Sequence, residues 1–200
     1  MSSTYTSSGD NNLSNKFLAF LLSSVLLVLS VVYFQLDFES VVYFYFTEAV
    51  AIWICLELLF TYYFFKQSKK LDQDIISPIL GLLVLSVFVA LTGIIISSNL
   101  ELAPDKVTAL YVAAIAGVIT VVIRAFGTPA GYIIVEAKKL TILRLGFMFM
   151  FAIFIPDIVS SDHGLSPYVA LILFISLRII LEFILILSSK STLSDPQTTT

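Results

Sequence analysis

The segment VVYFYFTEAVAIWICLELLFTYYFF, residues Val41–Phe65, decides the fold of this chain. It is longer than the roughly 20 apolar residues that cross a bilayer as a helix. Aromatic side chains crowd both of its ends, as they do at the two interfaces of a membrane. Two carboxylates, Glu48 and Glu57, lie inside it. Because a charge at that depth costs at least about 2.5–3.5 kcal/mol, the segment is predicted to be a transmembrane helix with a polar site within it.

The composition of the whole chain agrees with a membrane environment. Of its 200 residues, 58% are hydrophobic and 12% are charged, whereas a soluble domain has about 45–50% apolar and about 25% charged residues. Too few polar groups are present to cover a surface that faces water. The basic residues lie near the ends of apolar segments rather than in a patch, which disfavours nucleic acid as a partner. The expected partner is the lipid bilayer.

Six apolar segments are long enough to cross the hydrocarbon core. Serine followed by proline opens the third and the sixth of them, which is typical of a helix start. The sequence therefore predicts an all-α polytopic protein whose transmembrane domain, residues 16–190, is a bundle of six helices. The polar ends, residues 1–15 and 191–200, are expected to be disordered. The predicted spans are residues 17–36, 41–65, 78–97, 106–123, 140–158 and 167–187.

The lysine and arginine residues outside these spans fall almost entirely on one side. Lys66, Lys69 and Lys70 follow the second span, whereas Lys106 is the only basic residue in the loops of the other side. Positive charge in short loops marks the cytoplasmic face. Both termini are therefore predicted to be cytoplasmic, in a multi-pass protein of the cell (plasma) membrane.

The sequence also predicts the structure of the stretch between the fourth and fifth spans and the position of two arginines near it. The stretch between the fourth and fifth spans forms either a short interfacial helix or an early start of the fifth helix. Arg124 and Arg144 are expected to lie at the inner interface and to reach the lipid headgroups.

Small residues recur on one face of the third span and on one face of the fourth. Such faces let membrane helices approach closely, so a tight hairpin of these two helices is predicted. An interface between copies is the functional alternative. The two sets are Ser86, Ala90, Gly93 and Ser97, and Ala109, Ala113, Ala116 and Thr120.

Four charged residues inside the spans, Glu48, Glu57, Arg178 and Glu182, form the candidate intramembrane polar site. Glu48 and Glu57 point to opposite faces of one helix, since a turn takes about 3.6 residues. Arg178 and Glu182 share a face at i, i+4 spacing. Matching the ends of the second and sixth spans puts Glu57 beside this pair, and the three are expected to form a buried cluster. Glu48 has no basic residue at its level in this alignment.

Metal and nucleophile chemistry find little support in the sequence. The chain has one cysteine, Cys55, and one histidine, His163, too few for a site built from several such ligands. No set of a nucleophile and a base stands out. No metal, cofactor or catalytic residue is therefore predicted, and the chain is not expected to be an enzyme.

Three features together resemble an uncharacterised prokaryotic membrane family, a domain of unknown function. They are the aromatic-then-acidic start of the second span (residues 43–48, YFYFTE), the basic Lys66 that closes it, and Arg144 in the fifth helix with a long apolar sixth helix. Members of that family usually have Tyr-Trp before the glutamate, and Phe46 stands where the tryptophan is expected. The resemblance implies a multi-helix membrane protein and lends no activity.

Two functions stay open at this point. One is a small transporter- or channel-like protein, or a subunit of one, that uses the intramembrane carboxylates for a proton, a cation or a small solute. The other is a non-catalytic scaffold or interaction protein whose buried charges only set helix packing. A water-filled cavity that reaches Glu48 or Glu57 favours the first, and sealed charges favour the second. A second copy of the chain or another membrane subunit is open as a partner.

Overall fold

The computed structural model describes residues 7–67, 76–125, 130–160 and 166–191. This part of the chain is helical and contains no β-strand, which confirms the all-α class. A short 3₁₀ turn, Pro104–Lys106, precedes the fourth helix. The helices are α1 (Ser7–Phe34), α2 (Phe38–Gln67), α3 (Ile76–Asn99), α4 (Val107–Ala125), α5 (Ala130–Ser160) and α6 (Pro167–Ser191).

The lengths and apolar surfaces of these helices are compatible with an integral membrane protein. Large apolar side chains face outward, among them Val32, which is 72% exposed, and Leu58, which is 65% exposed. The predicted spans at 78–97 and 140–158 lie within α3 and α5, and their crossing of a membrane stays a prediction. Within the described ranges, four stretches are long and apolar enough to span a bilayer: Ser14–Phe34, Phe38–Tyr62, Pro104–Ala125 and Pro167–Leu187.

Several helices begin earlier than predicted. α1 begins at Ser7, inside the segment that was expected to be disordered, because extending an existing helix by a polar residue costs far less than nucleating one. Residues 1–6 and 192–200 lie outside the described part of the chain. α5 begins at Ala130, which confirms the early start of the fifth helix and leaves no separate interfacial helix there.

A tight turn joins α1 to α2. Gln35 adopts a left-handed backbone with φ of 50°, and the amide of Leu36 donates to the carbonyl of Val31 over 3.1 Å, the pattern of a Schellman cap. Asp37 then caps α2, because its Oδ1 accepts a hydrogen bond from the amide of Ser40 over 2.9 Å. These two caps set the start of α2 at Phe38 rather than at Val41.

The predicted hairpin of α3 and α4 is wrong. α4 packs against α1 and α2, while α3 packs mainly against α5. The small face of α4 is buried, and at Gly117 it meets the backbone of α2. On α3, Ala90 and Ser97 are exposed and Gly93 contacts the ring of Phe46. A small face determines how closely a helix can approach, but it does not determine which helix approaches.

Candidate functional site

Four charged side chains from three helices meet in the interior of the bundle. They are Glu48 of α2, Arg144 of α5, and Arg178 and Glu182 of α6. None of them is more than 2% exposed. Two guanidinium groups face two carboxylates, so the formal charges cancel. We refer to these four residues as the Arg–Glu network.

Each arginine of the network contacts both carboxylates. Arg144 bridges two helices: its Nη1 lies 2.9 Å from Glu48 Oε1 and its Nη2 lies 2.8 Å from Glu182 Oε1. Arg178 Nη2 lies 3.2 Å from Glu48 Oε2, and its Nε lies 3.4 Å from Glu182 Oε1 one turn along the same helix. The ion pairs therefore form a closed ring that joins α2, α5 and α6.

Ser23 connects α1 to this ring. Its hydroxyl donates to Glu48 Oε1 over 2.6 Å, and it accepts a hydrogen bond from Arg178 Nη2. Ser23 is buried, as are Ala19 and Leu27 one turn away on either side. A polar residue on the buried face of an otherwise apolar helix is thereby supplied with partners, as burial of a hydroxyl requires. The ring thus engages a fourth helix.

Tyr45 covers one side of the network with its ring and hydrogen-bonds to it with its hydroxyl. The hydroxyl donates to Glu182 Oε1 over 2.8 Å. The ring centroid lies 4.6 Å from Arg178 Cζ and 5.0 Å from Arg144 Cζ, within the range of a cation–π contact. Beyond it, the Tyr45 ring packs edge-on against Phe174 at 5.9 Å between centroids. An aromatic wall therefore separates the charges from the apolar core on this side.

α4 contributes no charge to the network, yet it sets the position of Glu48. A Cβ atom on Gly117 would lie 2.6 Å from the Glu48 carbonyl oxygen and 2.8 Å from the Ala51 Cβ. Both distances are far below van der Waals contact, so α2 can lie this close only because residue 117 has no side chain. The close crossing holds the Glu48 backbone against α4 while its side chain reaches the arginines.

The structure corrects the predicted cluster, because Glu48 and not Glu57 lies against Arg178. Glu57 is half-buried, and among the described residues the ion-pair partners of Arg178 are Glu48 and Glu182, not Glu57. The error came from matching the last residues of the second and sixth spans. α2 has 30 residues and α6 has 25, so only their first residues, Phe38 and Pro167, give the correct register.

The sequence also misplaced Arg144, which is 1% exposed and lies inside the network rather than at the lipid headgroups. Since α5 begins at Ala130, Arg144 lies roughly 20 Å along the helix at about 1.5 Å per residue. Charge balance was the signal that could have found it. A lone Arg178 does not neutralise both Glu48 and Glu182, and Arg144, like Arg124, is a cation with apolar neighbours on both sides in the sequence.

The network retains polar atoms with no protein partner. Within the described part of the chain, Arg178 Nη1, Arg144 Nε and Glu182 Oε2 are buried and make no hydrogen bond. The ion-pair nitrogens of Arg144 lie at short distances from the carboxylates but out of line for hydrogen bonding. Among the residues described, no group of three or more His, Cys, Asp or Glu side chains lies together to hold a metal ion. The arrangement can thus hold helices and bind small polar molecules.

Comparison with known proteins adds no further constraint. No protein-family model matches this chain, and neither a curated protein nor a solved structure matches it. The resemblance to an uncharacterised prokaryotic membrane family therefore stays a prediction.

Proposed function

We propose that this chain is a multi-pass protein of the cell membrane and that it works as a non-catalytic scaffold or interaction protein. In this proposal the Arg–Glu network fixes the packing of its helices. One observation carries the proposal: four charges in the interior are sealed from solvent and neutralise one another. Each carboxylate faces two guanidinium groups, so the network as a whole has no formal net charge that would draw an ion from water.

The energetics of buried ion pairs support this role. A buried pair contributes little net stability relative to apolar residues of the same volume, but removal of one partner costs about 3–5 kcal/mol. The contacts of Arg144 with both carboxylates can form only when α2, α5 and α6 are in register. The network therefore selects one arrangement of the helices, which a protein needs if it presents a fixed surface to a partner in the membrane.

Ion flux in proteoliposomes tests this proposal. Purified wild-type protein should show no proton or cation flux above that of empty liposomes. Glu48→Gln should lower the stability of the protein in detergent, and Glu57→Gln should leave it nearly unchanged. Flux in the wild type that disappears in a folded Glu48→Gln variant would contradict the scaffold function.

A second function, conduction of protons or of a small solute, is favoured by the polar atoms left without partners. Arg178 Nη1 and Glu182 Oε2 are buried and make no hydrogen bond within the described residues. A network with a purely structural role is most stable when every polar group in it has a hydrogen-bond partner. Buried charges in membranes that lack some of their partners are often functional. Proton flux that Glu182→Gln abolishes, without loss of folded protein, would support this second function.

We further propose six spans with both termini in the cytoplasm. Single cysteines test this in a Cys55→Ser background, with one variant at Ser98, at the end of α3, and one at Ser191, at the end of α6. A membrane-impermeant maleimide should label Ser98→Cys in intact cells and Ser191→Cys only after permeabilisation. The opposite pattern of labelling would show that the topology is inverted. If both cysteines were labelled only after permeabilisation, α3 would not be a span.

A further inference from the structure

We infer that the Arg–Glu network is an internal binding site for small uncharged hydrogen-bonding molecules, and that water is its occupant. The inference rests on three atoms: Arg178 Nη1, Arg144 Nε and Glu182 Oε2. Each is buried and has no hydrogen-bond partner within the described part of the chain. Buried charged groups nearly always have hydrogen-bond partners, because a group left without one loses its hydration and gains nothing in return.

The donors and acceptors of the protein do not match at this place. Two guanidinium groups carry five N–H donors each, and the acceptor groups that they contact within the described residues are the two carboxylates and the hydroxyl oxygen of Ser23. Glu182 Oε1 already accepts from the Tyr45 hydroxyl and lies near both arginines, while Glu182 Oε2 accepts no hydrogen bond from the described residues. The donors and the acceptors are thus unevenly placed. A small mobile molecule can hydrogen-bond to those without a partner, which the fixed side chains do not reach.

The charges of the site determine the class of occupant. The network is neutral, so an added anion would meet two carboxylates and an added cation would meet two guanidinium groups. The occupant must accept a hydrogen bond from an arginine and donate one to a carboxylate. It must also be small, because none of the four side chains is more than 2% exposed. Water meets all of these conditions, and internal waters typically make about three hydrogen bonds to such unsatisfied groups.

Bound water adds a property that ion pairs alone lack. A guanidinium N–H that bonds to water instead of a fixed carboxylate can exchange partners without separation of the charges. The helices stay in register while the hydrogen bonds rearrange. The inference depends on the geometry of the network and holds for both functions proposed above.

Radiolytic footprinting tests the inference on the intact protein in lipid nanodiscs. X-ray pulses convert bound water into hydroxyl radicals, which modify the nearest side chains, and mass spectrometry locates the modified residues. Tyr45, whose hydroxyl contacts Glu182, should be modified although it is buried. Its neighbour Phe44 is an equally buried aromatic residue outside the network, and it should stay unmodified. Equal absence of label at both residues would overturn the inference.

A charge-balanced double variant, Arg178→Leu with Glu182→Leu, tests which atoms bind the water. It removes Arg178 Nη1 and Glu182 Oε2 and leaves Arg144 opposite Glu48. Loss of the Tyr45 label in this variant is expected. A Tyr45 label as strong as in the wild type would show that the water binds elsewhere and would contradict the site assigned. If the variant does not fold, the comparison of Tyr45 with Phe44 in the wild type still decides.

Discussion

Arg144 Nη1 lies 2.9 Å from Glu48 Oε1, in a contact that joins the middle of α5 to the first half of α2. Both side chains are sealed inside the bundle. The pair gives Glu48 a counter-charge where the sequence indicated none, and it transfers the polar site from one face of α2 to the other.

Glu48→Gln should lower the free energy of unfolding far more than Glu57→Gln. Loss of the Glu48 charge leaves Arg144 and Arg178 with one carboxylate between them, and breaking a buried pair costs about 3–5 kcal/mol. Glu57 is half-buried and lies outside the network, so Glu57→Gln should change the free energy of unfolding by less than about 0.5 kcal/mol. Unfolding by SDS in mixed micelles measures both. Equal losses would contradict the placement of the network.

Double-mutant cycles should show an interaction energy between Glu48 and Arg178 and none between Glu57 and Arg178. Residues in contact show interaction energies of about 0.5–3 kcal/mol, and Glu48 Oε2 lies 3.2 Å from Arg178 Nη2. Glu48→Gln with Arg178→Gln should therefore be less destabilising than the sum of the single changes. Glu57→Gln with Arg178→Gln should be additive, and strong coupling there would restore the cluster that the sequence predicted.

Tyr45→Phe and Tyr45→Leu should separate the contribution of the Tyr45 hydroxyl to stability from that of its ring. The phenylalanine variant loses only the hydrogen bond to Glu182, and a hydrogen bond to a charged group contributes about 1.5–3 kcal/mol. The leucine variant also loses the cation–π contacts with both arginines, which adds about 1–2 kcal/mol. Tyr43→Phe is the control, since the Tyr43 hydroxyl donates to an uncharged group, the Leu100 carbonyl. Thermal unfolding in detergent should show the largest loss of stability for Tyr45→Leu, a smaller loss for Tyr45→Phe and the smallest for Tyr43→Phe.

Gly117→Ala should destabilise the protein, and Gly146→Ala should not. A methyl group at residue 117 collides with the Glu48 carbonyl and with Ala51, and overpacking of this kind costs about 1–3 kcal/mol. At Gly146 no described atom lies within 4 Å of the added Cβ, so the better helix propensity of alanine should add up to about 1 kcal/mol. Melting temperatures that move in the same direction for both variants would argue against the close crossing of α2 and α4.

Gln35→Gly should stabilise the turn between α1 and α2. The φ of Gln35 is 50°, and a left-handed backbone costs a residue with a Cβ roughly 1–2 kcal/mol. Glycine removes this strain but loses more entropy on folding, so a net gain of about 0.5–1 kcal/mol is expected. Gln35→Ala, which keeps the Cβ, should bring no gain in the melting temperature. A similar gain from alanine would show that strain at this residue is not the cause.

Much of the architecture could be read from local patterns. The apolar runs predicted helices at every place where the structure has one, and the serine-proline pairs lie at the starts of α3 and α6. Arg178 and Glu182 were predicted to be buried together because i, i+4 spacing in one helix is a local property. The start of α5 was less certain, since residues 130–139 contain charges that suit either an interfacial helix or a longer buried one.

The partners between helices could not be read in the same way. Apolar sequence indicates that a residue faces lipid or core, but it does not indicate which helix lies opposite, because most apolar side chains pack equally well against any other. The sequence by itself determined an all-α chain with long apolar helices, small faces on α3 and α4, and the pairing of Arg178 with Glu182 on one face of α6. Only the tertiary structure decided that Arg144 joins the network, that Glu48 takes the place expected for Glu57, and that α4 lies against α2. Those choices depend on helix length and crossing geometry, which the packing of the whole bundle sets.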